Sequence, residues 1–285
     1  MTDKNPVRTK SHITTVLQAL LVTFLWASSM ILIKIGFKGG LPPITFAGLR
    51  YWFAFICLAL LVLFNPTHRK MLGAISHRIW LQLTFLGIIF YTITQGANFL
   101  GLSLLPANTI SLIFIFAPLI IAAASSLIIK EKPTFTQWLG VLLSIAGALV
   151  YFLTLGNEVR NSVGIVVALV GLLACSFSSL LGRHVNIHSH LPPILITTIS
   201  MGIGGSLLLL VGGITQGFGH LDLSQWLIIT WLAIINTAFA FTLWNHTLRT
   251  LTSVESSIIN NLILPQVAIL SWLFLDEKIS LKQIL

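Results

Sequence analysis

WLQLTFLGII at residues 80–89 returns 146 positions later as WLIITWLAII at 226–235, with Trp, Leu, Thr, Leu, Ile and Ile in register. Leu102 and Leu105 meet Leu248 and Leu251 at the same offset, and Glu131-Lys132 meets Glu277-Lys278. Upstream, LPPI stands at 41–44 and again at 191–194, an offset of 150, so the connection after the second helix is four residues shorter in the second copy. Four anchors in one order are an internal repeat; apolar composition alone does not produce them.

The chain around these anchors is made for lipid. Apolar residues form 56% of the 285 and charged residues only 8%, whereas a soluble domain carries about a quarter charged. Mean hydropathy is +0.96. Segments long enough to span the hydrocarbon core occur at about 14–37, 44–64, 80–103, 107–129, 137–155, 162–182, 192–214, 226–248 and 254–275. This predicts an all-α polytopic membrane protein with nine transmembrane helices. The short alternating segments of a barrel are not found. The first segment is too long for a signal-peptide core and lacks a small-residue cleavage site, so it is expected to be retained. Cys57 and Cys175 fall inside spans and read as small apolar packers without a disulfide framework.

The first repeat unit holds five helices. Five is odd, so the second copy enters the membrane from the opposite side, as in the inverted-repeat carriers. After LIIKEKPTFTQWLG (127–140) the chain runs apolar to Leu155; after LFLDEKISLKQIL (273–285) it stops. The expectation is therefore five plus four helices, with a tenth helix missing. Three regions follow: a basic cytoplasmic tail at 1–13, a first repeat at 14–155 and an incomplete second repeat at 162–285. With the N-terminus inside, ten of the sixteen Lys and Arg fall on inward ends and loops and six outside. The formal charge of +9 is thus topological, by the positive-inside rule, and nucleic acid is not an expected partner. A multi-pass protein of the cell inner membrane is expected.

Polar residues inside spans are the candidates for function. Tyr91, Gln95 and Asn98 are spaced by four and three, which puts them on one helical face. That face either bonds a substrate or joins helices at about 1 kcal/mol per bond. In the second repeat Asn236 lies mid-helix, with Trp244 and Asn245 toward the end. Asn236 and Asn245 are half a turn out of phase, so both do not easily face one cavity. Trp244 takes the register position of Asn98; it either stacks on substrate or belongs to the interfacial belt. This asymmetry suits an organic substrate with one apolar and one polar end. Asn260, Asn261 and Gln266 surround Pro265, and Pro118 lies on the fourth span; each proline is a kink and either a structural bend or a hinge. Lys34 and Arg50 read as rim charges, snorkelling to the interface or drawing an anionic substrate. Small hydroxyls at Ser28 and Ser29, beside Trp26, permit close helix packing. Thr252-x-x-Glu255 is a capping box, favoured over a proton-binding carboxylate. His184, His188 and His190 have metal-like spacing but no accompanying carboxylate or Cys and sit in an expected loop, so no metal site is assigned. No phosphate-cradling glycine loop, GxSxG or HExxH occurs, and no cofactor is expected.

Stretches FLWASSMILIKIG (24–36), LRYWFA (49–54), the long run LGLSLLPANTI…GALVY (100–151) and LRTLTSVESSIINNLILPQVAILSWLFLDEKISLKQIL (248–285) resemble the drug/metabolite transporter superfamily, in its EamA-type branch of 5+5 permeases. The resemblance implies a secondary carrier, not an enzyme, that exports small organic metabolites such as amino acids by alternating access. Its partners would be a small-molecule substrate and the lipid bilayer, with a homodimer as an open option. Pro118 precedes its Glu by thirteen residues and Pro265 by twelve, which implies a kink of different register in the ninth helix. Two alternatives stay open: a non-transporting membrane receptor or assembly protein, and an integral-membrane enzyme, against which the sparse carboxylates argue.

Overall fold

Every regular element among the described residues of the computed structural model (6–128, 131–154, 161–219 and 221–274) is helical. The second Glu-Lys pair at Glu277-Lys278 and the start of the basic tail lie outside these residues.

In the first repeat α1 spans Pro6–Lys38, α2 Pro43–Phe64, α3 Pro66–Gly73, and α4 His77–Leu86. The last continues through a π-helical stretch, Gly87–Thr94, into α5, Gln95–Leu104. Then come α6 Ala107–Phe114, α7 Ala117–Ile128 and α8 Phe135–Thr154. The second repeat holds α9 Ser162–His188, α10 Pro193–Thr215, α11 Leu223–Ala233, a π-helical Ile234–Phe239, α12 Ala240–Thr247, α13 Ser253–Asn261 and α14 Ile263–Phe274. Each of the nine expected segments is one helix or one interrupted helix. Eight are long and apolar enough to cross a membrane. The remaining one, α8, has 20 residues, about 30 Å at 1.5 Å per residue. Only α3 escapes the hydropathy reading. It is a short exposed connection opened by Pro66, with Asn65 accepting from the Thr67 and His68 amides at 3.0 and 3.3 Å.

Local chemistry explains the helix starts. The LPPI copies place Pro43 and Pro193 in the first turn, where a missing N–H costs nothing. Asp222 with Gln225 and Thr252 with Glu255 close capping boxes at α11 and α13. Glu255 therefore caps, as its sequence context indicated; its other oxygen lies 3.7 Å from His12.

The repeat is visible in the irregularities as much as in the helices. Shifting Gly87–Thr94 by 146 lands on 233–240, which encloses the second π-helical stretch. In each, a threonine hydroxyl donates to the carbonyl five residues back, the acceptor position of a π-helical turn: Thr94 to Ile89 at 2.9 Å and Thr237 to Leu232 at 2.7 Å. The fourth and ninth spans both break. The first opens at Ile115–Phe116 and the second at Leu262, and Phe116 maps onto Leu262 by the same offset. The expected difference in kink register is thus overturned: the prolines differ by one position, but the breaks coincide. Pro118 and Pro265 each fall in the first turn of the following helix, α7 or α14, and so open the second helix of a broken span rather than bend a continuous rod.

Across the repeats, α2 and α10 form the most extensive interface. It depends on glycine: a Cβ on Gly48 would lie 2.4 Å from the Leu209 Cα, and one on Gly212 2.6 Å from the Thr45 nitrogen. Such close backbone approach gives association in a solvent as apolar as the side chains. Outward faces stay apolar, with Leu61, Leu143, Val166, Leu210 and Trp272 all exposed. These are the surfaces that meet hydrocarbon.

Candidate substrate site

Between the repeats lies a cavity of about 100 Å³, walled by α1, α2, the first π-helical stretch, α5, α6, α9, α12, α13 and α14. Its polar contributors are Ser29, Arg50, Thr94, Gln95, Asn98, Ser111, Asn260 and Asn261; its apolar and aromatic ones include Trp26, Met30, Tyr51, Phe90, Phe114 and Phe241.

Arg50 dominates its electrostatics. The guanidinium is not at the rim. Position 50 is seven residues into α2, about 10 Å below the helix start at 1.5 Å per residue, and only 2% of the residue is exposed. Nε donates to Thr237 Oγ1 at 2.6 Å, Nη1 to Ser29 Oγ at 3.3 Å and Nη2 to the Asn236 carbonyl at 3.1 Å. The group lies 5.3 Å from the Tyr51 ring centre and 5.9 Å from that of Phe99. No carboxylate among the described residues pairs with it. The rim expectation fails because snorkelling needs a path to water, and this side chain turns into the bundle.

The structure brings two of the three polar residues of the third span to the cavity. Gln95 and Asn98 line the cavity. Tyr91 does not; it is buried against Tyr51, Phe90 and Phe241 at ring distances of 5.0–5.6 Å. The π-helical stretch ends between Tyr91 and Gln95 and breaks the 3.6-residue phase that would have aligned all three. Asn236 also stands behind the wall. Its amide donates to the Leu25 carbonyl and to Ser28 Oγ (3.0 Å), while its backbone carbonyl holds Arg50. Asn245 faces neither cavity nor solvent: it bonds Asn186 (2.7 Å) and Thr197 (2.9 Å). Trp244 packs at a tilt against Trp26, ring centres 5.1 Å apart, and Trp26 does line the cavity, so Trp244 backs a wall residue.

On the ninth span, Asn260 and Asn261 reach the cavity and Gln266 does not; Gln266 bonds Thr23 Oγ1 at 3.4 Å. Asn261 Nδ2 donates at 3.0 Å to the Ile115 carbonyl. The two positions are repeat equivalents, 146 apart. The Leu119 amide bonds Phe116 rather than Ile115, which leaves the Ile115 oxygen to the asparagine. One broken helix thus satisfies the other.

At the end of the bundle that holds the N-terminus, helix ends from both repeats are tied together. Glu131 accepts from Arg183 Nε at 2.9 Å and from the Ser253 amide at 3.1 Å; Arg183 also donates to the Leu248 carbonyl, and Gln137 to Thr252 Oγ1 at 3.0 Å. At the other end a wider depression of about 690 Å³ is lined by Lys34, Lys38, Pro42, Leu102 and Ser103. Lys34 Nζ donates to the Leu105 carbonyl at 3.0 Å. Lys34 lies four residues beyond Met30, and Leu102 four beyond Asn98, so one helical turn separates this depression from the cavity along both α1 and α5.

His184 and His188 belong to the last turns of α9 rather than to a loop, and their rings stack at 4.4 Å. Among the described residues no cluster of His, Cys, Asp and Glu could hold a metal.

Sequence reasoning missed Arg50 as an interior group, and Ser29, Ser111 and Phe114 altogether as wall residues. One signal for Arg50 was available: its distance in from the LPPI helix start. The hydroxyls and aromatics carry no signal that separates wall from packing.

A family model described as the EamA-like transporter family matches residues 13–153 and again residues 162–285. The Bacillus subtilis (strain 168) protein named Uncharacterized transporter YdfC is 27% identical over 259 residues, 89% of this chain and 80% of that protein. Uncharacterized transporter YvbV of the same organism is 26% identical over 186 residues, 65% of this chain and 57% of that protein. One solved crystal structure overlays with a TM-score of 0.71 at 16% identity, covering 96% of this chain and 92% of its own, which speaks to fold alone. With both halves of the chain matched by one family model and the same irregularities recurring in each, the chain belongs to the EamA-like transporter family.

Proposed function

We propose that the protein is a secondary carrier that moves small organic metabolites by alternating access, the two repeats rocking about the cavity between them. The observation that carries this is the placement of the cavity: it lies inside the bundle, takes polar side chains from both repeats, and is bordered by the two repeat-related helix breaks. Breaks that satisfy each other's backbone, as Asn261 and Ile115 do, give the repeats a place to flex without stranding polar groups in lipid. The Glu131–Arg183–Ser253 contacts close the N-terminal end in this conformation, and their release would open it. Export is the direction implied by the family resemblance, and the cytoplasmic side is then the N-terminal one, in the cell inner membrane.

Thiol labelling from both sides tests the mechanism. In a chain carrying Cys57→Ala and Cys175→Ala, Asn98→Cys should react with a membrane-impermeant maleimide added to either face. Labelling from one face only would describe a static pocket and favour a receptor over a carrier.

A further inference from the structure

We infer that the cavity takes an organic anion: one carboxylate held by Arg50, and a compact apolar or aromatic body lodged among Trp26, Phe90, Phe114 and Phe241. This rests on the carrier reading above and adds the substrate class to it.

The charge balance leads here. Arg50 remains ionised at any physiological pH, and an ionised group in an apolar interior is costly unless paired. Its three hydrogen bonds all go to neutral acceptors, two hydroxyls and one carbonyl. A guanidinium has five N–H donors, so two remain, one on each terminal nitrogen. That is the fork a single carboxylate fits. The described residues offer no internal substitute. Of the acidic residues among those described, Glu131 and Asp222 lie in connections and Glu255 is in a first turn.

The rest of the wall agrees. No acidic side chain among the described residues lines it, so a cation would meet Arg50 without compensation. Trp26 Nε1 is a further buried donor with no partner among the described residues. The remaining surface is mostly aromatic and aliphatic, which suits an apolar body. One guanidinium neutralises one negative charge, which favours a monocarboxylate over a phosphate dianion. Outside, Lys34 and Lys38 line the depression one turn above and add a positive field that concentrates anions at that mouth. A rival role for Arg50 is a brace tying α2 to α1 and to the 234–239 stretch. A brace predicts instability on substitution but no discrimination between ligands that differ only in charge.

The test compares phenylacetate with phenylacetamide, its neutral counterpart of nearly equal shape. Binding is measured on the whole chain in lipid nanodiscs, with chloride and inorganic phosphate as further probes, and counterflow in proteoliposomes follows for each. The carboxylate should bind at least about tenfold more tightly than the amide, the value of one lost charge-assisted contact. Arg50→Gln should abolish that preference, and Arg50→Lys should keep part of it. Should Arg50→Gln fail to fold, the comparison on the unaltered protein still decides. Equal binding of acid and amide overturns the inference, as does competition by chloride or phosphate at equal strength, which would mark an inorganic-anion site. Flux of neutral or cationic compounds without carboxylate preference also overturns it but leaves the carrier standing. Carboxylate binding without flux of any compound supports the anion site and refutes the carrier.

Discussion

Glu131→Gln isolates the closure at the N-terminal end. The wild-type carboxylate holds Arg183 at 2.9 Å and the Ser253 amide at 3.1 Å, with side-chain exposures of 9% for Arg183 and 24% for Glu131. Breaking a fully buried pair costs about 3–5 kcal/mol, while a hydrogen bond to a charged group contributes about 1.5–3 kcal/mol. Glu131 is partly wet, glutamine keeps one acceptor, and Arg183 retains the Leu248 carbonyl, so the lower figure applies, about 2 kcal/mol. If the contact exists only while this end is closed, the whole of that loss shifts the equilibrium toward opening, by about 30-fold. The assay is the labelling rate of Asn98→Cys by an impermeant maleimide applied from the N-terminal face, which follows the open population while that population is small. Glu131→Gln should accelerate labelling about 30-fold from that face and slow or leave unchanged labelling from the other. A folded variant whose N-face rate stays within about threefold of wild type would refute the reasoning, since the contact would then persist through the cycle as a static tie.

Three further outcomes follow from the packing. Asn261→Ala removes the donor that satisfies the Ile115 carbonyl; an unpaired buried acceptor costs about 1–3 kcal/mol, so thermal stability in detergent should drop and counterflow should slow, whereas unchanged values would separate the two breaks. Gly48→Ala sets a methyl 2.4 Å from the Leu209 Cα and should reduce folded yield sharply, while Gly73→Ala, with nothing within 4 Å, should leave it intact; equal yields would contradict the α2–α10 packing. Gln95→Leu, on the cavity wall, should suppress flux by at least about tenfold with expression and melting preserved, and normal flux would remove Gln95 from the site.

The spans and the repeat were legible because hydropathy and register survive any local irregularity. Even the fourth and ninth helices, whose prolines are one residue out of step, break at equivalent positions, since tertiary packing sets where a helix opens and proline only makes opening cheap. The site was less legible. Tyr91 and Gln95 share a face only if the turn between them has 3.6 residues, and a π-helical stretch has no strong sequence signature. Arg50 was taken for a rim charge on average behaviour, since an arginine near a helix end usually snorkels; what decides the matter is a neutral cradle of Ser29, Thr237 and the Asn236 carbonyl, assembled from residues up to 208 positions apart. Asn236 was singled out as a substrate-pathway residue, and it stands behind the cavity wall. Its side-chain amide bonds the Leu25 carbonyl and Ser28, and its backbone carbonyl joins the Arg50 cradle.

The central claim, that this chain carries a small organic compound across the bilayer, is tested most directly by counterflow in proteoliposomes. Unlabelled compound is loaded inside, labelled compound is added outside, and the panel spans aromatic monocarboxylates, amino acids, nucleosides and cationic dyes. The account predicts transient accumulation of labelled carboxylates above protein-free vesicles, lost in Arg50→Gln. Folded, reconstituted protein that exchanges no member of the panel would contradict it.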